Sequence, residues 1–120
     1  MEKRILIVEK DKGIREVLDY ILTEQGYEVK TLSNLANILA DIIAFRPQAI
    51  LLDIIVPGVE GTDVCKTIKS SSNTKHIPVI VISTSPQVTA TIKEVCADEV
   101  ISKPFDLEDL LDTIKKQVAA

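Results

Sequence analysis

The chain has 120 residues, enough for one domain with a substantial core. Hydrophobic residues make up 46%, which excludes a disordered chain, and only 3% are aromatic, so the core has to be built from Ile, Val and Leu. The net charge of -4, with no basic run longer than two residues, argues against a nucleic-acid-binding face, and no apolar run approaches the ~20 residues of a membrane span.

Met1-Glu2-Lys3-Arg4 leads into only four apolar residues, too few for a signal-peptide core. Residues 4–9 read as a strand, Ile5-Leu6-Ile7-Val8 running into Glu9-Lys10-Asp11. No glycine-rich phosphate loop follows. Glu9-Lys10-Asp11-Lys12-Gly13 matches neither GxGxxG nor the Walker pattern, which disfavours nucleotide or flavin binding. Ile14, Val17, Leu18, Ile21 and Leu22 give one apolar helix face, and Gly26 ends that helix. Residues 27–32 read as a strand. Leu35, Ile38, Leu39, Ile42 and Ile43 repeat the helical spacing, with Ser33 or Asn34 as N-cap.

Residues 49–53, Ala-Ile-Leu-Leu-Asp, read as a strand buried on both faces, and Pro57-Gly58 marks the loop beyond it. A shorter helix follows Gly61, with Val64, Cys65 and Ile68 inward, and Ser70-Ser71-Ser72-Asn73-Thr74 is a loop. Residues 78–83 read as a strand that ends at Ser83-Thr84-Ser85. Ser85-Pro86 is an N-cap with an N1 proline, and Val88, Ile92 and Val95 follow at helical spacing. Residues 99–102 form the last strand, which ends at Lys103-Pro104. Asp106 then caps a final helix with Leu107, Leu110, Leu111 and Ile114 inward. Cys65 and Cys96, with no CxxC pair and one His in the chain, suggest neither a disulfide framework nor a zinc site. Both read as buried free thiols of a cytosolic protein.

Five βα units in strict alternation predict an α/β fold: a flavodoxin-like, doubly wound, five-stranded parallel sheet of order 2-1-3-4-5 with helices on both faces. In that order the first, third, fourth and fifth strands are neighbours. Their ends gather Glu9, Lys10, Asp53, Ser83 and Lys103 on one edge, where open α/β sheets hold their ligands. A carboxylate at the end of a buried strand costs desolvation energy unless something uses it. Loop capping alone explains Asp53 but not the lysine and hydroxyl beside it.

The matching stretches are Ile5-Leu6-Ile7-Val8-Glu9, Gly13-Ile14-Arg15-Glu16, Arg46-Pro47 through Leu51-Leu52-Asp53, Pro57-Gly58-Val59-Glu60-Gly61, Ile77-Pro78-Val79-Ile80, Ser83, and Lys103-Pro104-Phe105. In order and spacing they resemble the receiver domain of two-component response regulators, of the chemotaxis-regulator kind, across residues 1–120. The resemblance implies that Asp53 accepts a phosphoryl group from a sensor histidine kinase or phosphotransfer protein. It implies that Lys103 and Ser83, with Thr84 beside it, contact that group. Glu9, Asp53 and the backbone carbonyl of Ile55 are implied as Mg²⁺ ligands, and the Lys103-Pro104 bond is implied to be cis. Such a domain is a cytoplasmic phosphorelay switch and not an enzyme. Its output is a downstream protein or a fused effector domain, without direct contact to nucleic acid or membrane. The resemblance also allows a weak homodimer through the last helix.

Four positions depart from the family pattern. Lys10 stands where a second acid normally ligates Mg²⁺; placed about 4 Å from Asp53 it would contribute roughly 4 kcal/mol of attraction at an effective dielectric near 20, and it weakens metal binding. In the opposite arrangement Lys10 points to solvent and Asp11 supplies the second carboxylate. Val100 replaces the aromatic switch residue, Cys96 a glycine, and Thr84 a smaller residue. Lys10 and Val100 favour a second function, a pseudo-receiver binding module that is not phosphorylated or does not need Mg²⁺. Asp53, Ser83 and Lys103 favour phosphorylation. An Asp-nucleophile phosphotransferase or dehalogenase resembles DxDxT at this point, and Asp53-Ile54-Ile55-Val56-Pro57 lacks the second Asp.

Overall fold

Ile5, Leu6 and Ile7 are completely buried, as are Ile50 and Leu52 and the run from Val79 to Ile82. Strands this apolar must be covered on both faces. The computed structural model describes residues 3–54, 59–83 and 96–119. In chain order these form β1 (Arg4–Val8), α1 (Lys12–Glu24), β2 (Glu28–Leu32), α2 (Ile38–Phe45), β3 (Ala49–Ile54), α3 (Val59–Ser70), β4 (Val79–Ser83), β5 (Glu99–Ser102) and α4 (Leu107–Ala119). The helix expected after Ser85-Pro86, with Val88, Ile92 and Val95, lies outside the described residues. Among the described residues no helix is long and apolar enough to cross a membrane.

The sheet has the order β2-β1-β3-β4-β5, and every pair is parallel. Alternation along the strands divides the core in two. Leu6, Val8, Ile50, Leu52, Val79 and Val81 pack with Ile38 and Ile42 of α2 and Cys65 and Ile68 of α3. Ile5, Ile7, Leu51, Ile80 and Ile82 pack on the other face with Leu18 and Leu22 of α1 and Leu110 and Ile114 of α4. The register brings the strand ends level: Val8 pairs with Leu52, Asp53 with Ile82, and Ser83 with both Ile54 and Ser102.

Asp11 caps α1 through Oδ1, which accepts the Ile14 N–H at 2.9 Å. Past the other end Gly26 takes φ 94°, a left-handed conformation suited to glycine. Asp106 caps α4, its Oδ1 accepting from the Glu108 N–H at 2.8 Å.

Five expectations fail in detail. Val17, Ile43 and Leu107 are 56%, 56% and 42% exposed, and Leu39 lies at the outer margin of α2. The apolar stripes on these helices are wider than the strip of sheet each one covers. The α2 helix begins at Ile38, beyond both predicted caps, because Asn34 Oδ1 accepts the Ala36 N–H at 2.9 Å and closes a turn before the helix starts.

Candidate functional site at the carboxyl edge of the sheet

Four of the polar strand endings meet. Glu9 follows β1 and is 1% exposed; Ser83 ends β4 and is also 1% exposed. Asp53 is the penultimate residue of β3, its side chain 2% exposed. Lys103 follows β5, and its N–H donates to the Ser83 carbonyl at 2.9 Å, extending the ladder by one residue. The Lys103-Pro104 bond is cis. The Lys103 ammonium lies 2.8 Å from Asp53 Oδ2 and 3.5 Å from Glu9 Oε1.

Two carboxylates and one ammonium in a nearly dry edge leave an excess negative charge. Burial pushes the Glu9 carboxyl up to about 7, helped by its hydrogen bond to Asp53 and by the Asp53 charge; Lys103 and the Asp11 N–H pull the other way. Burial pushes the Lys103 ammonium down, but the hydrogen bond and charge of Asp53, and then Glu9, outweigh it and hold Lys103 above its ordinary value. Asp53 Oδ1 is buried and has no hydrogen-bond donor among the described residues.

The expected placement of Lys10 is wrong. Its side chain is exposed and forms no ion pair among the described residues. Lys10 stands in a bend past the end of β1, and its ammonium reaches into solvent. The cation on Asp53 is Lys103 instead. Asp11 Oδ1 accepts the Ile14 N–H and caps α1. Val100 is half-buried, paired with Val81 and packed against the core on the α2 and α3 side. Ile55 and Thr84 lie outside the described residues.

One contributor received no role from the sequence. Arg15 Nη1 donates to the carbonyl oxygens of Glu9 at 2.9 Å and Lys10 at 3.4 Å, and so fixes the turn that buries Glu9. Side-chain bonds to a carbonyl leave no pattern in the residues that supply the carbonyl.

Among the described residues no group of three or more His, Cys, Asp or Glu side chains converges on a metal position. Mg²⁺ does not require one, because it is held through one or two carboxylates and keeps several waters. The hard oxygens of Glu9 and Asp53, with Oδ1 uncommitted, fit that demand.

A protein-family model described as the response regulator receiver domain matches residues 5–115. Response regulator MprA of Mycobacterium bovis is 33% identical over 113 residues, covering 92% of this chain and 48% of that protein. The chain thus spans about half the length of the curated relatives it matches. A response regulator receiver domain protein (CheY-like) from Methanospirillum hungatei has a TM-score of 0.86 at 30% identity, covering 99% of this chain and 95% of that one. Response regulator TrrA of Thermotoga maritima, solved in complex with Mg²⁺ and BeF, has a TM-score of 0.83 at 30% identity, covering 96% and 98%.

Proposed function

The chain belongs to the response regulator receiver domain family of two-component systems, and we propose that it works there as a phosphoacceptor, taking a phosphoryl group on Asp53 from a histidine kinase or phosphotransfer protein. The observation that carries this reading is the Asp53 carboxylate, buried, with Oδ2 on Lys103 and Oδ1 without a hydrogen-bond donor among the described residues. Phosphoryl transfer needs a positioned nucleophile and neutralisation of charge on the equatorial oxygens. Asp53 Oδ1 attacks phosphorus as the bond to the donor breaks, and an acyl phosphate results. Lys103 is already within contact distance of that carboxylate and supplies one positive charge without reorganisation.

Glu9, Asp53 and the Ile55 carbonyl are the residues that would hold Mg²⁺, with Asp11 as a further acid nearby in sequence. When bound, the ion neutralises phosphoryl charge and orients the donor. The TrrA complex with Mg²⁺ and BeF supports this assignment by likeness. Binding is weaker than with two adjacent acids, because Lys10 offers no oxygen. The new phosphoryl charge recruits the Ser83 hydroxyl, flanked by Thr84, and biases the surface beyond β4 and β5. Val100 has no ring to rotate, so the bias reaches the surface through β-branched packing and is small. The readout is binding of a downstream protein or a fused effector domain by residues 1–120 acting as one receiver domain in the cytoplasm.

One observation favours the pseudo-receiver as a second reading: Lys103 bridges both acids and compensates their charge without metal or phosphoryl group. Incubation with acetyl phosphate and Mg²⁺, followed by intact mass, separates the two. A phosphoryl adduct supports the phosphoacceptor; an unmodified chain at saturating donor supports the binding module.

A further inference from the structure

The chain's two cysteines, far apart in sequence, are neighbours in the fold. Cys65 of α3 is fully buried in the core layer between α3 and the sheet. Cys96 stands at the head of the segment leading into β5 and is half-buried against the same cluster. Both thiols pack against the same core cluster, and each bears on the ionisation of the other. The segment that carries Cys96 is fastened to both its neighbours. Asp98 Oδ2 accepts from Lys69 Nζ of α3 at 2.9 Å and from the Val79 N–H of β4 at 2.8 Å. The Asp98 N–H donates to the Val79 carbonyl at 2.9 Å, and Lys69 Nζ also donates to the Ile77 carbonyl at 3.0 Å. These bonds hold the two sulfur-bearing elements against each other. Nothing in the chemistry at Asp53 uses either thiol.

We propose that Cys65 and Cys96 form a redox-active dithiol that closes to an intramolecular disulfide under two-electron oxidation by a hydroperoxide. Cys96 is the attacking sulfur because it is the more accessible of the two. Burial pushes its thiol up, while Cys65, Lys66 and Lys69 pull it partly back; burial drives the Cys65 thiol up further. Attack is therefore slow and needs sustained oxidant. The Cys96 thiolate displaces alkoxide from the peroxide oxygen, the O–O bond breaks, and a sulfenic acid forms. The Cys65 sulfur then attacks the sulfenic sulfur; the S–S bond forms, the S–O bond breaks, and water leaves with the Cys65 proton. Two thiols and one hydroperoxide become one disulfide, one alcohol and one water. The bond ties α3 to the lead-in of β5. This inference is independent of phosphorylation at Asp53.

The test is hydrogen peroxide treatment of the folded chain, followed by denaturation, alkylation of remaining thiols, intact mass and peptide mapping. The expected product is lighter by two hydrogen atoms, takes up no alkylating agent, and yields one linked peptide pair carrying Cys65 and Cys96. Dithiothreitol restores two alkylatable thiols. In Cys65→Ala the oxidised Cys96 has no resolving partner and accumulates as sulfinic acid; in Cys96→Ala the remaining Cys65 stays a thiol. Because the wild-type peptide map stands alone, a variant that fails to fold leaves the test intact. Sulfinic Cys96 beside alkylated Cys65 in wild type, a link between two chains, or two fully alkylatable thiols after prolonged exposure would each overturn the proposal.

Discussion

Lys103 and Asp53 are joined by a 2.8 Å ammonium–carboxylate contact across 50 residues of chain. The carboxylate is 2% exposed and the ammonium 18%. A pair this sheltered is costly to break from one side, since the remaining charge stays buried without its partner. It also makes Lys103 the only cation paired with either carboxylate among the described residues.

Replacing Lys103 with Met removes that cation and leaves Glu9 and Asp53 facing each other. The expected loss is about 3 kcal/mol of stability near neutral pH, the low end for a broken buried pair. Adding Asp53→Asn to the same chain recovers part of that loss, because the orphaned charge is then gone. Urea unfolding of wild type, both single variants and the double variant gives the coupling directly. Additive losses would place the two side chains out of contact.

Glu9 sets the pH dependence of stability in metal-free buffer. Its carboxyl is raised from 4.5 to about 7, so between those values the folded chain holds a proton that the unfolded chain has released. Stability contributed by this group is therefore full below about 4.5, falls as pH rises through the window, and is gone above about 7. Glu9→Gln cannot titrate and flattens the slope. Urea midpoints of both proteins across the window measure this, and parallel slopes would refute the assignment.

Metal affinity separates charge from ligand at Lys10. Its side chain is exposed, so Lys10→Ala removes a screened charge and alters Mg²⁺ affinity by less than about twofold. Lys10→Asp adds a carboxylate beside Glu9 and tightens binding about tenfold, equivalent to about 1.4 kcal/mol. Calorimetric titration of the three proteins reads both effects. An equal gain from both variants would mean that Lys10 acts by repulsion at close range.

The sheet was legible in the sequence because β1, β3 and β4 are unbroken apolar runs, and a strand buried on both faces has no other composition open to it. The site was legible because those runs end in Glu9, Asp53 and Ser83. Directions of side chains were less so. That Lys10 is exposed depends on the bend past β1, and the burial of Glu9 rests in part on Arg15, whose bonds to backbone carbonyls have no signature in residue type. The start of α2 was misplaced because Asn34 spends its side chain on a turn and not on a cap. The pairing of Cys65 with Cys96 was hidden for a different reason. It depends on how α3 lies against the lead-in to β5, which local periodicity does not encode.

The most direct measurement locates the phosphoryl group. Wild type and Asp53→Asn are treated with acetyl phosphate and Mg²⁺, reduced with borohydride, which converts an aspartyl phosphate to homoserine, and mapped by tandem mass spectrometry. The account predicts homoserine at position 53 of wild type and no adduct anywhere in Asp53→Asn. An adduct that persists in Asp53→Asn, or one mapped to Glu9, Ser83 or Thr84 in wild type, would contradict it.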